Sequence, residues 1–149
     1  MIKTVSCELR AAWALGRIGD PRATERLIIT LHDGDWSARM RAAEALGSMR
    51  ATPTTDALLQ VLRDENPDVR RHATAALTQI ADPASADRLW DTLKDPDWHG
   101  RIGAALALAS IGDNKSLAYL ETATRDENEF VRNVAQAVKR KKRQKCPAL

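Results

Sequence analysis

The apolar positions of this chain recur with a period of 31 residues, and no gap is needed to keep the register. Large aliphatic residues form three such ladders. They are Leu15, Leu46, Leu77 and Leu108; Ile18, Met49, Ile80 and Ile111; and Leu27, Leu58, Leu89 and Leu120. Small residue pairs, an Asp and an Arg recur with the same period. The pattern indicates repeats at about 1–19, 20–50, 51–81, 82–112 and 113–143.

Within each repeat the apolar spacing is helical, and two breaks divide the repeat into two short helices. The first break is of the type Gly19-Asp20-Pro21 or Thr52-Pro53, and the second is an Asp-rich loop such as Asp33-Gly34-Asp35. We expect each Asp or Thr to cap the next helix, with Pro accepted in its first turn. The predicted helices span about 3–18, 21–32, 36–49, 53–63, 67–80, 84–94, 98–111, 114–125 and 129–143.

Each helix pair is too short to bury its apolar stripe alone, so neighbouring pairs must stack. We therefore predict an all-α fold, an α-solenoid of antiparallel helix pairs with nine helices, as one domain over residues 1–149. Small residues let helices approach closely, and Leu and Ile fill the seams. The recurring arginines are Arg39, Arg70, Arg101 and Arg132. Each is expected to reach an aspartate or a loop carbonyl, although a ligand-binding row is the alternative.

Composition supports this picture and suggests a compartment. Aromatic residues make up only 4% of the chain, which favours close helix-on-helix packing. The chain has two cysteines, no apolar run long enough to span a membrane and an early charge that interrupts any signal sequence. We expect a reduced, soluble, cytoplasmic protein. Cys7 shares its register with Ala38 and Val69 and is predicted to fill the core, whereas Cys146 is expected to be a mobile thiol.

The net charge of +3 comes from the C-terminal tail, residues 139–149. Without the six basic residues of the tail, 17 basic residues face 20 acidic ones. The six are Lys139, Arg140, Lys141, Lys142, Arg143 and Lys145. Two interpretations stay open: the cations solubilise the end of the last helix, or they bind the phosphates of RNA, DNA or an anionic membrane.

The two end helices differ in sequence. In the last helix Gln136 and Lys139 replace a small residue and a Leu, as expected of a polar outer face. The first helix instead keeps Ile2, Val5, Leu9 and Trp13. This predicts that the chain is a fragment of a longer solenoid or pairs with something through that end.

Two stretches carry a family resemblance. They are Arg39-Met40-Arg41-Ala42-Ala43-Glu44-Ala45-Leu46-Gly47 and Arg101-Ile102-Gly103-Ala104-Ala105-Leu106-Ala107-Leu108, and they resemble the short HEAT repeat of the phycobilisome lyase type. Glu8 at the Arg position and Arg50-Ala51 in place of Gly-Asp depart from it. The resemblance implies a right-handed superhelix whose concave face is lined by the helix with this motif. Its variable positions become the partner-binding candidates Arg10, Trp13, Arg17, Trp36, Met40, Arg41, Glu44, Arg71, His72, Trp98, His99 and Ile102.

Chemistry-bearing patterns are weak. The histidines have no cysteine cluster or HExxH motif beside them, so no metal site, cofactor or catalytic residue is predicted. His32, His72 and His99 are not followed by Glu, which excludes the iron-binding His-Glu pairs of deoxyhypusine hydroxylase, another HEAT-like protein. Trp and Arg dominate interface hot spots, although a Trp at a helix start also commonly covers the seam between helices.

We therefore predict a non-enzymatic scaffold that binds another protein or peptide through its concave face. The resemblance implies an alternative, a subunit similar to a phycobilin lyase or a chaperone. A nucleic-acid-binding protein similar to the HEAT-like alkylpurine DNA glycosylases is the second alternative, and the acidic body of the chain argues against it.

Overall fold

The computed structural model describes residues 2–18 and 20–145, and these residues form nine α-helices without a strand. The helices are α1 (Ile2–Arg17), α2 (Pro21–Thr30), α3 (Trp36–Ser48), α4 (Thr55–Val61), α5 (Pro67–Ile80), α6 (Ala86–Thr92), α7 (Trp98–Ile111), α8 (Asn114–Ala123) and α9 (Glu129–Lys145). Every predicted helix is present, most within two residues of its predicted ends. None of those in the described ranges is long and apolar enough to cross a membrane.

The starts of α4 and α6 lie later than predicted because a 3-10 turn precedes each, at Thr52–Thr54 and Pro83–Ser85. Asp82 caps the second turn by accepting a hydrogen bond from the Ala84 N–H at 3.0 Å. Ala51 is at the equivalent position of the first turn, and its side chain makes no capping bond. The predicted Thr52 cap is therefore wrong: the sequence places Ala51 where the other repeats have an Asp acceptor.

The chain divides into two compact units, residues 1–80 (unit 1) and 81–149 (unit 2). In unit 1, α3 packs against both α1 and α5, while α2 and α4 pack beside them. In unit 2, α7 packs against α9, α6 packs on α7, and α8 contacts both α7 and α9. Each unit is thus a stack of helix pairs, and the organisation of residues 1–149 as a single repeat domain stays a prediction.

Small residues set the spacing inside unit 1. A Cβ atom added at Gly47 would lie 2.7 Å from the Ala76 Cα, closer than carbon atoms can approach. Because α3 and α5 meet at this point, the missing side chain lets the two helices pack closely. Leu46, next to it, is fully buried. A small residue therefore permits close helix packing at this site, while the same role for the recurring small pairs such as Ala42-Ala43 stays a prediction.

Three residues after helices have left-handed backbone conformations: Arg50 (φ 49°), Ala81 (φ 44°) and Gly112 (φ 69°). They occupy one position of the 31-residue repeat. Gly112 is the usual residue for such a C-cap, whereas an L-residue with a side chain adopts the conformation at a cost of about 1–2 kcal/mol. The following backbone bond, from the Ala51 N–H to the Leu46 carbonyl at 3.3 Å, closes the turn after α3 despite this cost.

Helix α1 differs from the prediction. Leu15 is 46% exposed and Ile18 is 82% exposed, and Cys7 is exposed although Ala38 at its register is buried. The predictions that Cys7 and Leu15 are core residues are wrong, because no described residue covers this side of α1. Trp13 is also exposed. The side chains of Ile2, Val5 and Leu9, which the sequence grouped with Trp13, lie outside the described residues, as does Cys146.

Candidate functional site

Trp36 begins α3, and the preceding residue fixes the start of the helix. Asp35 is the N-cap, accepting hydrogen bonds from the Ser37 backbone N–H at 3.1 Å and the Ser37 hydroxyl at 2.8 Å. Such a cap satisfies backbone donors that have no partner inside the helix. It holds Trp36 in the first turn, where its indole is 45% exposed.

Seven of the predicted partner-binding residues are exposed on α1, α3 and α5 of unit 1, and we call them the arginine–tryptophan surface. They are Arg10, Trp13, Arg17, Trp36, Arg41, Glu44 and Arg71. The register places Arg10 beside Arg41 and Trp13 beside Glu44 on adjacent helices, since α1 packs on α3. The Arg17 guanidinium lies 5.2 Å from the centre of the Trp13 ring, a cation–π distance.

Two further candidates of unit 1, Met40 and His72, are half-buried. Met40 lies in α3, and His72 in α5 places its Nδ1 atom 2.8 Å from the Asp68 carbonyl oxygen. Arg71 is exposed and pairs with the Asp68 carboxylate at 3.1 Å. His72 is thus bonded to its own helix, which limits its availability to a partner.

Two of the three candidates of unit 2, Trp98 and His99, lie in an aromatic cluster. The Trp98 ring stacks on His99, with ring centres 3.7 Å apart, and on Phe130, with centres 5.5 Å apart. His99 Nδ1 lies 2.9 Å from an Asp97 carboxylate oxygen. Ile102 is half-buried one turn along α7.

The sequence interpretation missed Phe130, which is 63% exposed at the start of α9. The signal was present, because Phe130 lies 31 residues after His99 and so shares its repeat position. The structure adds Phe130 to the candidate residues of unit 2.

The recurring arginines make the structural contacts that the sequence predicted. Arg39 donates from Nε and Nη2 to the two Asp64 carboxylate oxygens at 2.7 and 3.0 Å, and from Nη1 to the Asp33 carbonyl at 2.8 Å. Both side chains are only 10% exposed. We call this bidentate pair with its loop bond the arginine clamp of unit 1.

Unit 2 contains an equivalent clamp. Arg101 donates from Nη1 to the Asp95 carbonyl at 2.7 Å and from Nη2 to an Asp126 carboxylate oxygen at 3.1 Å. Its Nε lies 3.0 Å from the other Asp126 oxygen, an ion-pair contact whose geometry does not make a second hydrogen bond. The clamp of unit 1 is therefore the better aligned of the two, and neither arginine is exposed for a ligand.

The clamp changes the acidity of Asp64. Burial raises the pKa of the Asp64 carboxyl, but hydrogen bonds from Arg39 and from the Asn66 backbone N–H outweigh burial and leave the pKa below its ordinary value. Because the folded-state pKa is lowered, the stability from this carboxylate is present at neutral pH. It is lost as the pH falls through the folded-state pKa.

Trp90 takes part in packing between α6 and α8. Its ring stacks on Tyr119 with centres 4.7 Å apart, and the Tyr119 hydroxyl donates to Asp87 at 2.8 Å. Asp87 also accepts from the Lys115 amine, and hydrogen bonds from Lys115 and Tyr119 hold the pKa of Asp87 below its ordinary value. These contacts account for Trp90 as a packing residue that joins α6 to α8.

The basic residues of the tail are helical as far as the structure describes them, since α9 continues to Lys145. Lys139 forms an ion pair with Glu121 of α8. Lys142 is half-buried, with its amine beside Gly112. The remaining four are exposed, and they are Arg140, Lys141, Arg143 and Lys145. Within residues 2–18 and 20–145, no three potential metal ligands lie together.

A known protein has a similar architecture. An archaeal HEAT-like repeats protein from Thermococcus onnurineus NA1 has a similar structure, with a TM-score of 0.55 at 19% sequence identity. The alignment covers 85% of this chain and 57% of that chain, so the chain spans little more than half the length of this relative. No functionally curated protein gives a significant match.

The sequence itself matches the family model for HEAT repeats over residues 7–59 and 55–139. This range includes most of the described helices. The match and the structural likeness confirm the predicted fold class, an all-α solenoid of HEAT-like helix pairs. The chain belongs to the HEAT-repeat family.

Proposed function

We propose that this protein is a non-enzymatic scaffold that binds another protein or peptide through the arginine–tryptophan surface. One observation carries the proposal: Trp13 and Trp36 are 40% and 45% exposed among exposed arginines. The alanines and leucines of the packing side of α3 are buried. The same helix thus separates residues that hold the fold from residues that are available to a partner.

Physical chemistry favours a macromolecular partner at such a surface. A tryptophan buries a large area on binding and loses little side-chain freedom, and arginine is enriched in the centres of interfaces. The surface contains four arginines and one glutamate, and Asp68 beside it pairs with Arg71. The excess of positive charge complements an acidic partner surface and speeds its association.

The aromatic cluster of unit 2 is a second contact patch in this proposal. Trp98 stacks on both His99 and Phe130, and Phe130, which is 63% exposed, is the most exposed of the three. Preformed stacking reduces the ordering cost of binding. The bilin-lyase-like, chaperone and nucleic-acid-binding roles stay predictions, and no contact among the described residues favours them over protein binding.

Affinity capture with wild-type and variant protein side by side tests the proposal. We expect Trp36→Ala combined with Arg41→Ala to lose the captured partner, and each single change to weaken its binding by about 1–3 kcal/mol in calorimetry. Arg125→Ala removes an exposed charge from unit 2 and Glu25→Ala alters exposed α2, so both should leave binding intact. Capture that is unchanged in the double variant but lost in Glu25→Ala would contradict the proposal.

The exposed cations of α9 support a separate, weaker contact with polyanions. Four exposed cations within residues 140–145 of one helix give a salt-sensitive affinity for polyanions without sequence preference. Replacing Arg140, Lys141, Arg143 and Lys145 by Gln leaves the Lys139–Glu121 pair intact. The replacement should abolish the salt-dependent binding of labelled heparin. If wild-type protein shows no such binding, the tail serves as a solubilising end of the helix.

A further inference from the structure

Helix α1 has an apolar side that no described residue covers. An α-helix has about 3.6 residues per turn, so Cys7, Ala11 and Ala14 form one stripe along α1, and Ile18 continues it in the turn just after the helix. All four are exposed. Leu15 flanks the stripe and is 46% exposed. A contiguous apolar stripe at helical spacing is a common mark of an interaction surface.

The repeat shows what kind of element fits this stripe. The equivalent residues of α3 include Ala42 and Ala45, which are buried, and α3 packs on α1. In the next layer, Gly47 of α3 closes on Ala76, the register equivalent of Ala14. This side of α5 therefore receives α3 at close range. The stripe on α1 has the same small residues and so fits a helix.

Positive charges lie along both flanks of the stripe. Arg10 and Arg17 are exposed on one side of it. On the other side a groove of about 430 Å³ between α1 and α2 is lined by Leu15 and Ala23, and its charged residues are two arginines, Arg22 and Arg26, and one aspartate, Asp20. Arg22 is 89% exposed and pairs with Asp20. The flanks are therefore complementary to carboxylates on an incoming helix.

A second copy of the chain is a poor occupant. In unit 2, α9 exposes Gln136 and Arg140 where the repeat has small residues. This side of α9 therefore has no apolar stripe that could pack on the stripe of α1. Two copies that met through their α1 stripes would oppose arginine with arginine, which is unfavourable.

We propose that the apolar stripe of α1 docks an acidic amphipathic helix of a partner protein, in the geometry with which α1 itself covers α3. Apolar residues of the partner helix fill the stripe and the groove beside Leu15. Glutamates or aspartates on its two flanks pair with Arg10 and Arg17 on one side and with Arg22 on the other. The site shares Arg10 and Arg17 with the edge of the arginine–tryptophan surface, but its apolar stripe lies on a different side of α1 from Trp13. It does not require Trp13 or Trp36 to bind anything.

The test uses the full chain and two fluorescein-labelled synthetic helices with the same Ala/Leu stripe, one with flanking glutamates and one with lysines. Fluorescence anisotropy at low ionic strength should show the glutamate helix binding at least about tenfold more tightly. Ile18→Glu and Ala14→Glu replace exposed residues and should each weaken binding about tenfold. Trp36→Ala, on the other surface, should change the affinity less than about twofold.

Charge reversal should increase the affinity for one helix, a result that a folding defect cannot produce. Arg22→Glu should weaken binding of the glutamate helix and strengthen binding of the lysine helix. Equal binding of the two helices, or an unchanged affinity in both Ile18→Glu and Ala14→Glu, would overturn the proposal. Sedimentation is expected to show a monomer, and a dimer that Ile18→Glu dissociates would overturn it by making a second copy the occupant.

Discussion

Helices α1 and α3 occupy the same position in successive repeats and differ in what surrounds them. Leu46 of α3 is fully buried, while Leu15, its register equivalent in α1, is 46% exposed. Arg39 anchors the start of α3, whereas the sequence has Glu8 at the equivalent position of α1. The comparison shows that repeat register determines residue type, and that neighbouring helices determine how much each residue contributes to stability.

The largest expected effect concerns the arginine clamp, which α3 has and the sequence of α1 lacks. Arg39→Ala leaves the Asp64 carboxylate nearly buried without its cation, and we expect a loss of about 3–5 kcal/mol in urea unfolding. The matched change Arg41→Ala, at an exposed position two residues on, should cost less than about 0.5 kcal/mol. If Arg39→Ala lowered the unfolding free energy no more than Arg41→Ala does, the clamp would contribute no net stability.

The next effect tests the leucine ladder directly. Leu46→Ala should cost about 2–5 kcal/mol because it leaves a cavity in the core of unit 1. Leu15→Ala removes the same atoms from a half-exposed site and should cost below about 1 kcal/mol. Thermal and urea unfolding of the two variants measure the difference. If both changes cost the same, α1 is covered in solution and the comparison fails.

A smaller loss of stability is expected from a change at Gly47, on the side of α3 that packs against α5. Gly47→Ala raises helix propensity by about 1 kcal/mol, yet its Cβ would collide with the backbone of α5. We expect the collision to prevail and to destabilise the protein by about 1–3 kcal/mol. Gly34→Ala, whose Cβ meets nothing within 4 Å, is the control and should change stability little. Stabilisation by Gly47→Ala would show that α3 and α5 are not in close contact.

The smallest effect concerns the residues after the two helices, since the sequence has Gly19 after α1 and Arg50 after α3. Arg50→Gly relieves a left-handed conformation but increases the entropy of the unfolded chain, so we expect a net stabilisation of about 0.5 kcal/mol. Gly112→Ala should instead destabilise by about 1 kcal/mol, because φ is 69° and the added Cβ meets the Lys142 amine. Calorimetric melting measures both changes, and a destabilising Arg50→Gly would contradict the assigned backbone conformation.

The helices and their order were predictable because spacing and caps are local properties of the chain. Arg39 was correctly expected to bond an aspartate or a loop carbonyl, since the six-residue spacing to Asp33 recurs. The exposure of Leu15 was not predictable in this way, because burial depends on which neighbour packs on it. The two 3-10 turns likewise depend on how the chain enters α4 and α6.

The candidate site was predicted in part. Register alone placed Trp36 and Arg41 on one helix, and both are exposed. The stacking of Trp98 on His99 and on Phe130 depends on side-chain conformations of two helices, which a one-dimensional pattern does not specify. Phe130 could have been found by applying the same 31-residue register to the last helix.

The uncovered side of α1 has a kinetic consequence. A helix held from one side opens more readily than one packed on both sides, so the backbone amides of α1 should exchange with deuterium faster than those of α3. An incoming helix would bind α1 only while α1 is folded. Its apparent affinity would therefore equal the intrinsic affinity multiplied by the fraction of time that α1 is folded. Occupation of the stripe would in turn slow exchange throughout α1, which makes the order of this helix a reporter of the partner's presence.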